Sequence, residues 1–168
     1  HAHGAPTIVI APRHMHRVKP WQALLSGAKL PAVMRSKQTE TIPAGSIVIW
    51  DTFGELGQLY LLADAVFVGG SLAPLGGQNF LEPLALGRIP CCGRIWTTSH
   101  GHWNLPASER DSLETLGLLQ IGENAKAVAT LLQQQLAAPS TMTPCENASN
   151  AGSRPSRRLG PLCAEIIG

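Results

Sequence analysis

Charged residues are scarce in this chain of 168 residues. Only 14% of them are Asp, Glu, Lys or Arg, the net charge is +2, and 44% of the residues are hydrophobic. This composition excludes an intrinsically disordered chain, because such chains combine low hydrophobicity with high charge. The basic residues are spread out apart from Arg154, Arg157 and Arg158, so no nucleic-acid-binding patch is predicted. The length is that of one domain with a core of its own.

Long apolar runs are also missing. No run approaches the roughly 18 residues of a transmembrane helix, and no secretory signal peptide is visible. The chain begins with His1 rather than methionine and enters an apolar segment within a few residues. We therefore expect a piece of a longer protein, with no membrane-spanning segment in this piece.

Cysteine and histidine do not form a metal-binding pattern. Cys91 and Cys92 are adjacent on a predicted strand, so their side chains should point to opposite faces. We predict reduced, mostly buried thiols in a cytosolic protein, rather than a CxxC metal site or a mutual disulfide. The histidine pairs at 14 and 16 and at 100 and 102 lack a third ligand at a suitable spacing. No metal site is predicted.

Short β-branched apolar runs alternate with amphipathic segments. The pattern predicts strands at 7–11, 32–35, 46–50, 64–68, 89–93 and 118–121. It predicts helices at 18–25, 56–63, 80–86, 107–116, 125–136 and 157–167, and a loop at 139–153. Such alternation is typical of an α/β fold, a Rossmann-like parallel sheet with helices on both faces. The run at 7–11 predicts a strand buried on both faces.

Polar segments follow three of these strands, at 12–14, 51–55 and 69–82. In parallel sheets, ligands bind beyond the C-terminal ends of the strands. We therefore expect the three segments to form one nucleotide-binding pocket. Arg13 suits a phosphate. The alternative is a surface arginine near a helix start, but its position at the end of a strand favours the phosphate role. Glu55 is interpreted equally well as a ligand contact and as an acidic residue that favours a helix start. The helix at 56–63 is expected to have Asp51 or Thr52 as its N-cap.

The segment at 67–83 is the most informative part of the chain. A buried strand runs into two glycine pairs and then into a helix start that carries Asn79 and Glu82. Glycines let the backbone approach a ligand closely, and a helix start offers free N–H groups to a phosphate. Glu82 is placed to accept hydrogen bonds from sugar hydroxyls. Alternatively, Asn79 is an N-cap and Glu82 completes a capping box.

Six motifs occur together in one order. They are APRH at 11–14, DTFGEL at 51–56, LY at 59–60, AD at 63–64, FVGGSL at 67–72 and GGQNFLEP at 76–83. Together they resemble the C-terminal domain of the 3-deoxy-D-manno-octulosonic acid (Kdo) transferases, which build the inner core of bacterial lipopolysaccharide. The resemblance is strong over residues 7–93 and weaker beyond. His16 stands where the family usually has glutamate, Gln78 where it has histidine, and Phe53 where methionine is common.

The resemblance implies the C-terminal half of a GT-B glycosyltransferase. Residues 1–168 would form the nucleotide-sugar-binding Rossmann-like domain, a fragment without the N-terminal acceptor domain and its catalytic base. The donor substrate would be CMP-Kdo, with no cofactor and no catalytic residue in this chain. The implied donor-binding residues are Pro12, Arg13, Phe53, Gly54, Glu55, Gly70, Ser71, Asn79, Phe80, Leu81 and Glu82.

The family also implies partners that this chain would not hold itself. The acceptor is a lipid A precursor bound by the missing domain, and the full-length enzyme lies at the cytoplasmic face of the bacterial inner membrane. We expect the isolated fragment to be inactive. Two alternatives remain open: another GT-B UDP-sugar transferase or epimerase, and a non-catalytic nucleotide-binding module.

Overall fold

The computed structural model describes residues 5–38, 41–95 and 106–138. It divides into two compact units, His1–Leu56 and Gly57–Gly168. The predicted loop at 139–153, the predicted helix at 157–167 and the histidines at 100 and 102 lie outside the described residues.

The first unit contains a three-stranded parallel sheet. Its strands are β1 (Ile8–Ile10), β2 (Ala32–Met34) and β3 (Ile47–Ile49), in the order β1-β3-β2. Helix α1 (Val18–Gly27) follows β1 and has Pro20 in its first turn, where the missing N–H costs nothing. Two short 3₁₀ helices, Met15–Arg17 and Arg35–Lys37, precede α1 and follow β2.

Burial within this sheet differs from strand to strand. The central strand β3 has Val48 and Ile49 fully buried, as an apolar run in a parallel sheet should be. The prediction of complete burial was wrong for β1, where Ile8 is 50% exposed and Val9 is 40% exposed. Among the strands of the described residues β1 pairs only with β3, so an apolar run alone does not ensure burial.

The second unit contains another three-stranded parallel sheet. Its strands β4 (Val66–Val68), β5 (Pro90–Gly93) and β6 (Gln120–Gly122) lie in that order. The helices are α2 (Leu56–Leu62), α3 (Leu81–Ala85), α4 (Ala107–Thr115) and α5 (Ala125–Ala137). The core cluster comprises Val66, Val68, Phe80, Leu81, Leu84, Cys92, Leu113, Leu118 and Leu119.

These elements confirm an α/β, Rossmann-like fold with parallel strands and helices around them. Cys91 and Cys92 are both buried and free, as predicted, and burial raises the pKa of the Cys91 thiol to about 11. No helix in the described residues combines the length and the apolar character needed to cross a bilayer.

A buried polar side chain on α5 was not foreseen. In this helix the apolar Leu136 is exposed, whereas the neighbouring polar residue Gln135 is only 4% exposed. Gln135 Oε1 accepts from the Val66 amide at 3.2 Å, and Gln135 Nε2 donates to the Ile89 carbonyl at 2.9 Å and to Gln120 Oε1 at 2.8 Å. One side chain thus satisfies polar groups around all three strands of this sheet.

Replacing Gln135 with leucine should destabilise the fold, even though leucine continues the apolar pattern. The Val66 N–H and the Ile89 carbonyl would lose their partner, at about 1–3 kcal/mol for each buried group left unsatisfied. Urea denaturation measures the change in unfolding free energy. Gln133→Leu is the matched control, because Gln133 is exposed on the same helix and its replacement should have little effect.

Candidate functional site

The glycine-rich segment after β4 forms a loop closed by its own backbone. The Gly77 amide donates to the Gly70 carbonyl at 2.9 Å. Gly70 has φ +75° and Gly77 has φ +70°, and a Cβ on Gly70 would lie 3.3 Å from Gly77 Cα. Loop closure therefore explains these two glycines without a ligand. Gly69 is different, because a Cβ placed there would have no atom within 4 Å. The space beside Gly69 is therefore open.

Ser71, a predicted donor contact, is fully buried. Its hydroxyl donates to the Val68 carbonyl at 2.8 Å and accepts from the Gly93 amide at 2.7 Å. These bonds link the end of β4 to the end of β5. The Ser71 hydroxyl is thus committed to the fold.

The start of α3 carries four of the predicted site residues. Asn79 Oδ1 accepts from the Leu81 amide at 3.0 Å, which fixes the turn into the helix. Phe80 and Leu81 are buried in the core, so only their main chains are placed to meet a ligand. The capping-box alternative was wrong: α3 begins at Leu81, and no hydrogen bond in the described part of the chain joins Glu82 to Asn79.

Glu82 is the one acidic residue of the segment at 67–83. It is partly buried, and burial raises the pKa of its carboxyl group above the usual value. Neighbouring Tyr60 has its pKa raised to about 12, first by burial and then by the charges of Glu82 and Cys92. The described residues give the Glu82 carboxylate neither a hydrogen bond nor an ion pair, although its main-chain carbonyl accepts from the Leu86 amide. A half-buried carboxylate in this state is a common mark of a functional site.

In the first unit, Asp51 follows β3 and ties it to the segment after β2. Its carboxylate accepts from the Ser36 amide at 2.8 Å and from the Ser36 hydroxyl. Burial alone would raise the pKa of Asp51, but these hydrogen bonds outweigh it and the pKa is lowered. The predicted capping of α2 was wrong for both candidates, because α2 begins only at Leu56. Thr52 instead donates its hydroxyl to Glu55.

Glu55 lies in a cluster of polar and aromatic side chains at the ends of β2 and β3. Its Oε2 accepts from Thr52 Oγ1 at 2.8 Å and lies 3.5 Å from Arg35 Nε. The Arg35 guanidinium carbon lies 5.1 Å from the centroid of the Trp50 ring. Arg35 was not selected from the sequence, because it fell inside the predicted strand at 32–35. The structure ends β2 at Met34, which makes Arg35 an arginine at a strand end, like Arg13.

The remaining predicted residues of the first unit lie near the surface. Phe53 is 77% exposed and Arg13 is exposed, whereas Pro12 is partly buried. Gly54 has φ +81°, a conformation that favours glycine, and faces open space.

The structure therefore brings the predicted site residues together in two groups. Pro12, Arg13, Phe53, Gly54 and Glu55 belong to the first unit. The second unit holds Gly70, Ser71, Asn79, Phe80, Leu81 and Glu82. The first group follows the C-terminal ends of β1 and β3, and the second follows the C-terminal end of β4, as the sequence predicted.

Two histidines of the first unit lie face to face. The rings of His14 and His16 are stacked, with centroids 5.4 Å apart. Within residues 5–38, 41–95 and 106–138, no group of three or more His, Cys, Asp or Glu side chains is placed to hold a metal ion.

The chain is similar in sequence to curated 3-deoxy-D-manno-octulosonic acid transferases. It is 32% identical to the transferase of Haemophilus influenzae over 129 residues, which are 77% of this chain and 29% of that protein. It is 41% identical to the transferase of Bordetella pertussis over 83 residues, which are 49% of this chain and 19% of that protein. The chain thus spans less than a third of the length of these relatives. No family model matches it.

A solved structure has the same fold. It is the C-terminal CMP-Kdo binding domain of WaaA from Acinetobacter baumannii, with a TM-score of 0.67 and 21% sequence identity. The match covers 97% of this chain and 89% of that chain.

Proposed function

We infer that this chain, a member of the Kdo transferase family, supplies the donor-binding half of a glycosyltransferase. The donor is CMP-Kdo, and the whole enzyme transfers Kdo to a lipid A precursor in lipopolysaccharide core synthesis. The observation that carries this proposal is Glu82, a half-buried carboxylate with a raised pKa directly after the glycine loop. The fold shared with a CMP-Kdo binding domain supports it.

The donor-binding residues act by positioning and charge. Glu82 accepts hydrogen bonds from the ribose hydroxyls and thereby gains partners that the described residues do not give it. The main chain around Asn79 and Phe80 approaches the phosphate and the sugar.

The transfer itself needs groups beyond this chain. The acceptor hydroxyl oxygen forms a bond to the anomeric carbon of Kdo, the bond from that carbon to the CMP phosphate oxygen breaks, and CMP leaves. A general base takes the hydroxyl proton. We assign that base and the acceptor site to an N-terminal domain in a GT-B arrangement, at the cytoplasmic face of the inner membrane.

Calorimetric titration of the chain with CMP and with UDP tests the proposed donor. We expect CMP to bind, weakly but more tightly than UDP. Preferential binding of UDP would overturn the proposal in favour of a UDP-sugar enzyme.

An activity assay tests the proposal that the general base and the acceptor site belong to another domain. The purified chain, mixed with CMP-Kdo and a lipid A precursor, should release no CMP above the background rate. Measurable Kdo transfer by this chain alone would contradict the assignment of the base to another domain.

A further inference from the structure

The carboxylate of Glu55 is held by one of its two oxygens. Thr52 Oγ1 lies 2.8 Å from Oε2, and Arg35 Nε lies 3.5 Å from the same oxygen. No side chain or amide in the described residues donates a hydrogen bond to Oε1. The carboxylate is oriented by the protein and retains one acceptor for something else.

The group that orients Glu55 is itself fixed. Arg35 lies over the ring of Trp50, with 5.1 Å from the guanidinium carbon to the ring centroid. Its Nη1 also reaches the Gln38 carbonyl at 3.5 Å. The Arg35 and Glu55 side chains are 34% and 33% exposed, so this pair is not enclosed by the protein.

We propose that Glu55, positioned by Arg35, selects cytosine over uracil in the donor nucleotide. This rests on the proposed function and specifies which part of the nucleotide Glu55 contacts. Cytosine carries an amino group at the position where uracil carries a carbonyl oxygen. An ionised carboxylate only accepts hydrogen bonds, so Oε1 pairs with the cytosine amino group and repels the uracil carbonyl.

Glu55→Gln gives a directional test because glutamine has one oxygen and one amino group. Thr52 and Arg35 both donate, so they retain the glutamine oxygen and turn its amino group to the free position. The glutamine amino group can donate a hydrogen bond to the uracil carbonyl, but it faces another donor in the cytosine amino group. The CMP to UMP affinity ratio, measured by NMR titration at millimolar nucleotide, should fall about tenfold or more, the effect of a hydrogen bond to a charged group.

Arg35→Met tests the positioning role separately. It keeps much of the side-chain length over Trp50 but removes the donor to Glu55. We expect CMP to lose affinity while UMP changes little, so the ratio falls toward one. An arginine that only stabilises the fold would weaken both nucleotides equally. Glu123→Gln is the charge-matched control, because Glu123 is an exposed carboxylate paired with Arg94, and the ratio should not change.

The outcomes separate this inference from the proposed function. If the unsubstituted chain binds neither nucleotide, the donor-site proposal fails. If it binds CMP and Glu55→Gln leaves the ratio unchanged, the base-selecting role is wrong and the donor site stands. Equal weakening of CMP and UMP would likewise overturn the base-selecting role and point to the ribose, which both nucleotides share.

Discussion

Replacing Glu82 with glutamine should raise the stability of the ligand-free chain and remove most of its stabilisation by CMP. Burial raises the pKa of the Glu82 carboxyl group, so the ionised form is disfavoured in the folded state. A carboxyl with a raised pKa favours folding while it is protonated, and that contribution is lost as the pH rises through the carboxyl range. At neutral pH the ionised Glu82 carboxylate therefore destabilises the folded, ligand-free chain, and an uncharged glutamine removes this destabilisation.

When CMP is bound, the ionised Glu82 carboxylate should stabilise the complex instead. The ribose hydroxyls donate to the ionised carboxylate, and a hydrogen bond to a charged group contributes about 1.5–3 kcal/mol. Glu82→Gln should weaken CMP binding about tenfold or more on that basis. Glu82→Ala should abolish the CMP-dependent rise in melting temperature while the fold stays largely intact.

Thermal melts with and without CMP measure both effects. CMP binding by the unsubstituted chain should also weaken as the pH falls through the raised pKa of Glu82, because protonation removes the acceptor charge. Glu123→Gln serves as control, since this exposed carboxylate lies outside the proposed site. An unchanged CMP-dependent shift in Glu82→Gln would refute the ribose role.

A large loss of stability is expected from Gly93→Ala. A Cβ at Gly93 would lie 2.2 Å from the Ser71 carbonyl oxygen, 2.5 Å from its carbonyl carbon and 2.8 Å from the Leu72 amide nitrogen. These are backbone atoms, so β5 and the start of the glycine loop must move apart. That movement also breaks the 2.7 Å hydrogen bond from the Gly93 amide to Ser71 Oγ. We expect a loss of about 3 kcal/mol or more.

Urea denaturation of Gly93→Ala measures this loss directly. Gly69→Ala is the matched control for stability, because a Cβ there meets nothing within 4 Å. It should unfold at nearly the same urea concentration as the unsubstituted chain. Equal stability of Gly93→Ala and Gly69→Ala would mean that the close approach of Gly93 to Ser71 is not a constraint on the fold.

The elements of the fold could be predicted because their signals are local. β-Branched runs at 47–49 and 66–68 form strands, and the helix predicted at 80–86 is present as α3, with Gly87 at φ +78° beyond its end. Burial could not be predicted as well, because it depends on neighbours. The apolar run of β1 lies at a sheet edge, and Gln135 is buried because three strands present polar groups to it.

The positions of the candidate site residues were predicted better than their contacts. The polar segments do follow β1, β3 and β4, since strand ends are visible in the sequence. The sequence does not show which side-chain atoms already form hydrogen bonds within the protein. The Ser71 hydroxyl is taken up by Val68 and Gly93, whereas one oxygen of Glu55 is held by Thr52 and Arg35.

The most direct test of the proposed donor site is an NMR titration of the chain with CMP, with the perturbed backbone amides assigned by residue. We expect saturable changes at Asn79 and Glu82, which the proposal places against the phosphate and the ribose. Changes confined to other residues, or no saturable change at millimolar CMP, would contradict the assignment of this chain as the donor-binding half of a Kdo transferase.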